Sequence, residues 1–127
     1  MTTTMIDFPS IFTEEQIDYI GQRVVESARE ICGNKLRNVI LYGSYARGDF
    51  EEWSDVDIMI LIDANETECE KMDKEIDNQL YDLSFHMNLL LSTIAVPYKR
   101  FVRMREAYPF YQNVNKEGKC LCLTKTV

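Results

Sequence analysis

Apolar and polar positions follow two rhythms along this chain. Ile17, Ile20, Val24, Ala28 and Ile31 recur at three- and four-residue steps, the stripe of an amphipathic helix. Thr13-Glu14-Glu15-Gln16 is a capping-box pattern that opens it, and Gly33-Asn34 closes it. A second stripe, Cys69, Met72, Ile76, Leu80 and Leu83, follows Asn65 as N-cap, with Glu66, Glu68 and Glu70 near the positive helix end. Between these helices lie apolar runs of strand length, Lys35 to Tyr42 and Asp55 to Ile62. A third strand is expected over His86 to Val96, closed by Pro97, then a short helix over Tyr98 to Glu106. The chain breaks at Ala107-Tyr108-Pro109, resumes through Val114, stops at Gly118 and adds a last strand over Cys120 to Leu123, while residues 1–12 read as irregular with a Pro9-Ser10 turn. This order predicts one α/β (α+β) domain over 1–127: a mixed sheet of three or more strands covered by two longer helices.

Chemistry concentrates between the first two strands. Asp55 and Asp57 are two apart in an extended segment, so they project to one face while Val56 turns into the core. Two carboxylates that close repel unless a cation lies between them, and Mg²⁺ is commonly held by one or two carboxylates plus substrate phosphates. Gly43-Ser44 is the complementary half: glycine lets backbone approach a ligand, and Ser44 can offer its hydroxyl and N–H to a phosphate oxygen. A helix starting at Ser44 would favour an anion there. Arg47 adds a planar fork of donors for further phosphate charge. Taken singly, an Asp-x-Asp strand start and a Gly-Ser turn are commonplace; together with the arginine they outline a site.

Gly43-Ser44-Tyr45-Ala46-Arg47-Gly48 followed by Ser54-Asp55-Val56-Asp57 resembles the signature of the nucleotidyltransferase superfamily that includes DNA polymerase β and kanamycin nucleotidyltransferase. The small size resembles its minimal branch, the MNT-type proteins found as antitoxins beside an α-helical HEPN toxin. The resemblance implies a nucleotidyltransferase-like mixed sheet. It also implies that Gly43 and Ser44 hold a nucleoside triphosphate, and that Asp55 and Asp57 bind two Mg²⁺ ions and are the catalytic acids. A nucleoside monophosphate would move to a hydroxyl, for the MNT branch a tyrosine of the partner HEPN toxin. The family places a third carboxylate on a later strand; the nearest position here is expected at Asn88, an uncharged amide, with Asp82 on the preceding helix. A protein that keeps the fold and neutralises its toxin by contact alone is the alternative, and a modifier of small hydroxylated molecules a third.

Composition narrows the classes. Of 127 residues 46% are hydrophobic and 28% charged, as in a globular protein with a genuine core. Twenty-one acids against fourteen bases give a net charge of −7, which speaks against nucleic acid as partner. Lys99-Arg100…Arg103…Arg105 puts four bases in seven residues; a solvated helix side is the plainer reading. No apolar run is long enough to cross a bilayer, and Met1 to Asp7 lack the pattern of a secretory signal, so a cytoplasmic protein without membrane contact is expected. Cys32, Cys69, Cys120 and Cys122 form no Cys-x-x-Cys pair; Cys32 and Cys69 fit core positions, and Cys120 and Cys122 would share one face of a strand. His86, the only histidine, is expected at a strand start without a catalytic partner. A homodimer is the other partner open to a chain too short for a second domain.

Overall fold

A computed structural model of the protein describes residues 11–123. Residues 1–10, including the Pro9-Ser10 turn, lie outside the described residues. Helix α1 spans Glu14–Cys32, a 3₁₀ turn Gly33–Lys35, strand β1 Leu36–Tyr42 and the helical turn α2 Ser44–Arg47. Strand β2 spans Val56–Ile62, α3 Glu66–Met87, β3 Leu91–Pro97, α4 Tyr98–Met104, α5 Pro109–Glu117 and β4 Lys119–Leu123. Both long helices open on reciprocal capping boxes, Thr13 with Gln16 and Asn65 with Glu68.

The sheet order is β3-β2-β1-β4. β1 is antiparallel to β2 and β4, whereas β2 and β3 run parallel, joined by α3 as a β–α–β unit. α1 and α3 cover one face, where Ile20, Val24, Ala28, Ile76 and Leu80 pack on Val39, Leu41, Val56, Ile58, Ile60 and Ile62. α4 and α5 cover part of the other, where Phe101 and Val114 meet Ile40, Met59, Leu61 and Val96. β2 is therefore buried on both faces, which is why its apolar run is unbroken. Thr93 ties β3 to α3: its hydroxyl lies 2.9 Å and 2.7 Å from carboxylate oxygens of Asp73 and Asp77.

Four expectations are corrected. The third strand begins at Leu91, because α3 continues to Met87, whose side chain extends the buried stripe by four residues beyond Leu83. His86 therefore sits in the last helical turn, its Nδ1 donating to the Asp82 carbonyl at 2.7 Å. Asn88 is the left-handed C-cap of α3 (φ 51°, ψ 48°), a conformation asparagine tolerates, and is not on a strand. Cys120 and Cys122 do not share a face: a register shift against Val39 and Ile40 leaves Cys122 buried toward α1, accepting from Arg29 at 3.3 Å, and Cys120 exposed on the other side beside Asn38. Cys32 and Cys69 are buried, as expected.

Gly118 turns the chain from α5 into β4 with an ordinary φ of −70°, yet a Cβ there would run into Ile40 and the Val114 carbonyl oxygen. Gly118→Ala is expected to cost about 1–3 kcal/mol through overpacking, read as a lower urea midpoint at unchanged m-value.

Candidate functional site

Strand β1 ends at Tyr42, and the chain corners at Gly43 with φ 77° and ψ −159°, a backbone that L-residues with a Cβ rarely adopt. The Gly43 carbonyl accepts the N–H groups of Ala46 and Arg47 at 3.1 and 3.0 Å, and the Ser44 carbonyl accepts those of Gly48 and Asp49 at 2.8 and 3.2 Å. A helix does start at Ser44, as the single turn α2, closed by Gly48 in the left-handed region. Beneath it Tyr45 is buried, stacked on Phe50 at 4.4 Å, its hydroxyl accepting from the Phe12 N–H. The turn is thus held by an aromatic anchor while its polar side is left for other work.

The chain returns through 48–55. Ser54 of the signature closes this loop: its hydroxyl accepts the Glu51 N–H at 2.8 Å, and its own N–H donates to the Glu51 carbonyl at 3.1 Å. Val56 then enters the sheet wholly buried, between Asp55 and Asp57. Asp57 stands opposite Tyr42 on β1 and opposite Ser92 on β3. Its carboxylate lies directly against Gly43, so close that a Cβ on that glycine would run into it. The two halves of the signature are therefore in contact.

Electrostatics follow from this packing. Burial raises the Asp57 pKa above its ordinary value, Asp55 raises it further, and Arg47 partly offsets both. Tyr42 is pushed up to about 12, first by burial and then by the Asp57 charge, so its hydroxyl stays protonated at neutral pH. Arg47 is clamped from two sides, Nε to Asp49 at 3.1 Å and a terminal nitrogen to Glu117 of α5 at 3.5 Å. Beside the turn opens a pocket of about 180 Å³ lined by Tyr42, Gly43, Arg47, Phe110, Asn113, Val114 and Glu117.

Gly43, Ser44, Arg47, Asp55 and Asp57 thus gather at one end of the sheet, and Asn88 does not join them as a strand residue. The β3 position beside Asp57 is Ser92. Tyr42, Ser92 and the α5 residues escaped the sequence reading. Tyr42 reads as one more apolar strand residue, and Ser92 emerges only from the β2–β3 register. Phe110, Asn113, Val114 and Glu117 share one helical face at steps of three and four, a signal that was available. Among the described residues no group of three or more His, Cys, Asp or Glu side chains converges as a metal centre. The acid pair itself fits a hard divalent cation: it offers only oxygen donors, and Asp55 disfavours ionised Asp57 in the absence of added positive charge.

Comparison with known proteins gives the family and the fold. Residues 22–109 match the family model described as a nucleotidyltransferase domain. The chain is 41% identical over 73 residues, 58% of its length and 70% of the relative's, to a Methanocaldococcus jannaschii protein named provisionally as protein adenylyltransferase MJ0141. It is 34% identical over 87 residues, 68% of its length and 79% of the relative's, to a second protein of that organism with the same provisional name, MJ0604. Among solved structures, a toxin–antitoxin complex with AMP-PNP superposes with a TM-score of 0.53 at 20% identity, covering 83% of this chain and 74% of that one. A provisionally assigned nucleotidyltransferase from Sulfolobus solfataricus gives 0.51 at 19% identity, covering 84% and 82%. At these identities the structural likeness is one of fold.

Proposed function

Because the chain belongs to the nucleotidyltransferase domain family, we propose that it moves a nucleoside monophosphate from a nucleoside triphosphate to a hydroxyl acceptor, a tyrosine of a partner HEPN toxin that it thereby neutralises. The observation that carries the reading is the Asp57 carboxylate packed against Gly43, which puts an acid pair beside a glycine corner with no room for a side chain. The provisional names of the two Methanocaldococcus relatives support adenylyl transfer to protein, and the toxin–antitoxin complex with AMP-PNP supports both the nucleotide and the partner.

In this reading Gly43 and Ser44 receive the triphosphate, and Arg47 turns from Asp49 and Glu117 toward phosphate oxygens. Tyr42, held protonated, keeps a donor beside the acids. Asp55 and Asp57 would hold Mg²⁺, which supplies charge stabilisation at the phosphates and activation of the acceptor hydroxyl. A bond forms between the acceptor oxygen and the α-phosphorus as the α–β bridge breaks and pyrophosphate leaves. Fixed charges around the transferring group supply most of the acceleration in such reactions. Among the described residues no helix is long and apolar enough to cross a membrane, and a cytoplasmic location would place the protein beside its nucleotide supply.

Titration calorimetry of ATP, GTP, CTP and UTP, with and without Mg²⁺, tests the reading. Wild type is expected to bind at least one nucleotide in a Mg²⁺-dependent way, and the Asp55→Ala/Asp57→Ala double variant to bind none. Failure of every nucleotide to bind would overturn the transferase reading for this chain alone. One observation favours a second reading, neutralisation by contact: Ser92, not a carboxylate, stands beside Asp57 on β3. In that case Asp55→Ala would still neutralise the toxin in cells.

A further inference from the structure

We infer that the cavity beneath α4 and α5 binds a small organic monoanion, a carboxylate on an apolar body. The inference stands apart from the transferase reading: the cavity lies against the start of β1, whereas the signature turn follows that strand's end. It has a volume of about 270 Å³. Its bottom is apolar, formed by Ile40, Leu61, Phe101 and Val114 of the core on that face of the sheet. Its rim carries Arg37 at the start of β1, Arg105 at the end of α4 and Cys120 on β4.

Charge decides the class of ligand. The chain carries a net charge of −7, yet among the described residues none that lines this cavity is acidic, and two are arginines. Arg37 is already answered. Its terminal nitrogens donate to the Asn34 carbonyl at 2.8 Å and to the Asp63 carboxylate at 3.0 Å, which fixes and neutralises it. Arg105 is half-buried and has no such partner: its guanidinium makes no hydrogen bond or ion pair among the described residues. One unanswered positive charge calls for one negative charge, and the guanidinium fork matches the two oxygens of a carboxylate. The apolar bottom favours a hydrocarbon body over water. Inorganic phosphate lacks that body, and a triphosphate brings more charge than one arginine answers.

Cys120 reports on occupancy, because it is exposed on the rim while Cys32, Cys69 and Cys122 are buried. Benzoate and isovalerate carry the charge on an aryl and a branched alkyl body. Benzamide keeps the ring without the charge, and inorganic phosphate keeps charge without a body. At about 10 mM, one or both acids should slow iodoacetamide alkylation of wild-type Cys120 about fivefold or more, the protection a millimolar Kd gives. Benzamide and phosphate should each slow it less than about twofold, having lost one of the two contacts. Arg105→Gln should remove the protection at an unchanged thermal midpoint. Asp55→Ala/Asp57→Ala should keep it, which separates this cavity from the acid pair. Saturation-transfer NMR on the same samples detects binding that leaves the thiol open. Neither protection nor transfer with either acid overturns the inference. So does binding that benzamide matches, that Arg105→Gln retains in full, or that the acid-pair variant loses.

Discussion

Asp57→Asn is expected to abolish transfer and to stabilise the fold, two effects of opposite sign from one atom exchange. On the proposed reading, removing a preorganised charge at the transferring phosphate costs about 10²–10³-fold in kcat, and the loss of a proposed cation ligand adds to it. Stability moves the other way because the native environment resists ionisation of Asp57: burial and Asp55 raise its pKa despite Arg47. A carboxyl whose native pKa is raised contributes its full stability below the ordinary value, and that contribution falls away as pH rises through the native value. At neutral pH the ionised side chain therefore works against the fold, and asparagine removes that burden. In chelator the thermal midpoint of Asp57→Asn should exceed that of wild type at pH 7, with the gap narrowing toward pH 4. A variant equal to or below wild type at pH 7 would show that Arg47 outweighs burial and Asp55.

Ile60→Ala is expected to give the largest loss of stability. Ile60 lies at the centre of β2, fully buried, between Val39 on β1 and Ala95 on β3, and faces α1 and α3. Truncation removes three carbons from a site bounded on every side, so the surroundings relax only partly, and about 2–5 kcal/mol should be lost. Urea unfolding followed by tryptophan fluorescence reports it: Trp53 is the only tryptophan and sits in the loop between α2 and β2. Against a total of about 5–15 kcal/mol, such a loss brings the domain close to its threshold.

Much of this was written locally in the chain. Thr13 and Asn65 cap their helices as their side chains predict, and the apolar runs before Gly43 and after Asp55 are the two central strands. The contact of Gly43 with Asp57 is local too, since the connection over residues 43–55 joins two neighbouring antiparallel strands. What escaped was decided at a distance. Phe85-His86-Met87 reads as strand by residue type, but Met87 continues the stripe that buries α3, and packing overrides propensity. That error displaced the expected third position to Asn88, whereas the parallel register of β3 puts Ser92 beside Asp57. Cys120 and Cys122 were assigned to one face because a bulge opposite Val39 and Ile40 leaves no mark in a five-residue strand. Arg47 stands out in the signature, but its tether to Glu117 spans seventy residues and belongs to the tertiary structure alone.

α5 and β4 tie the signature turn to the outer edge of the sheet, α5 through Glu117 with Arg47 and β4 through its pairing with β1. The acid pair and glycine corner lie within residues 43–57, while the helix that closes the neighbouring pocket and the strand that completes the sheet edge form one C-terminal cassette. β4 covers the outer edge of β1, so without it that strand's unpaired N–H and C=O groups would be open to pairing with another chain.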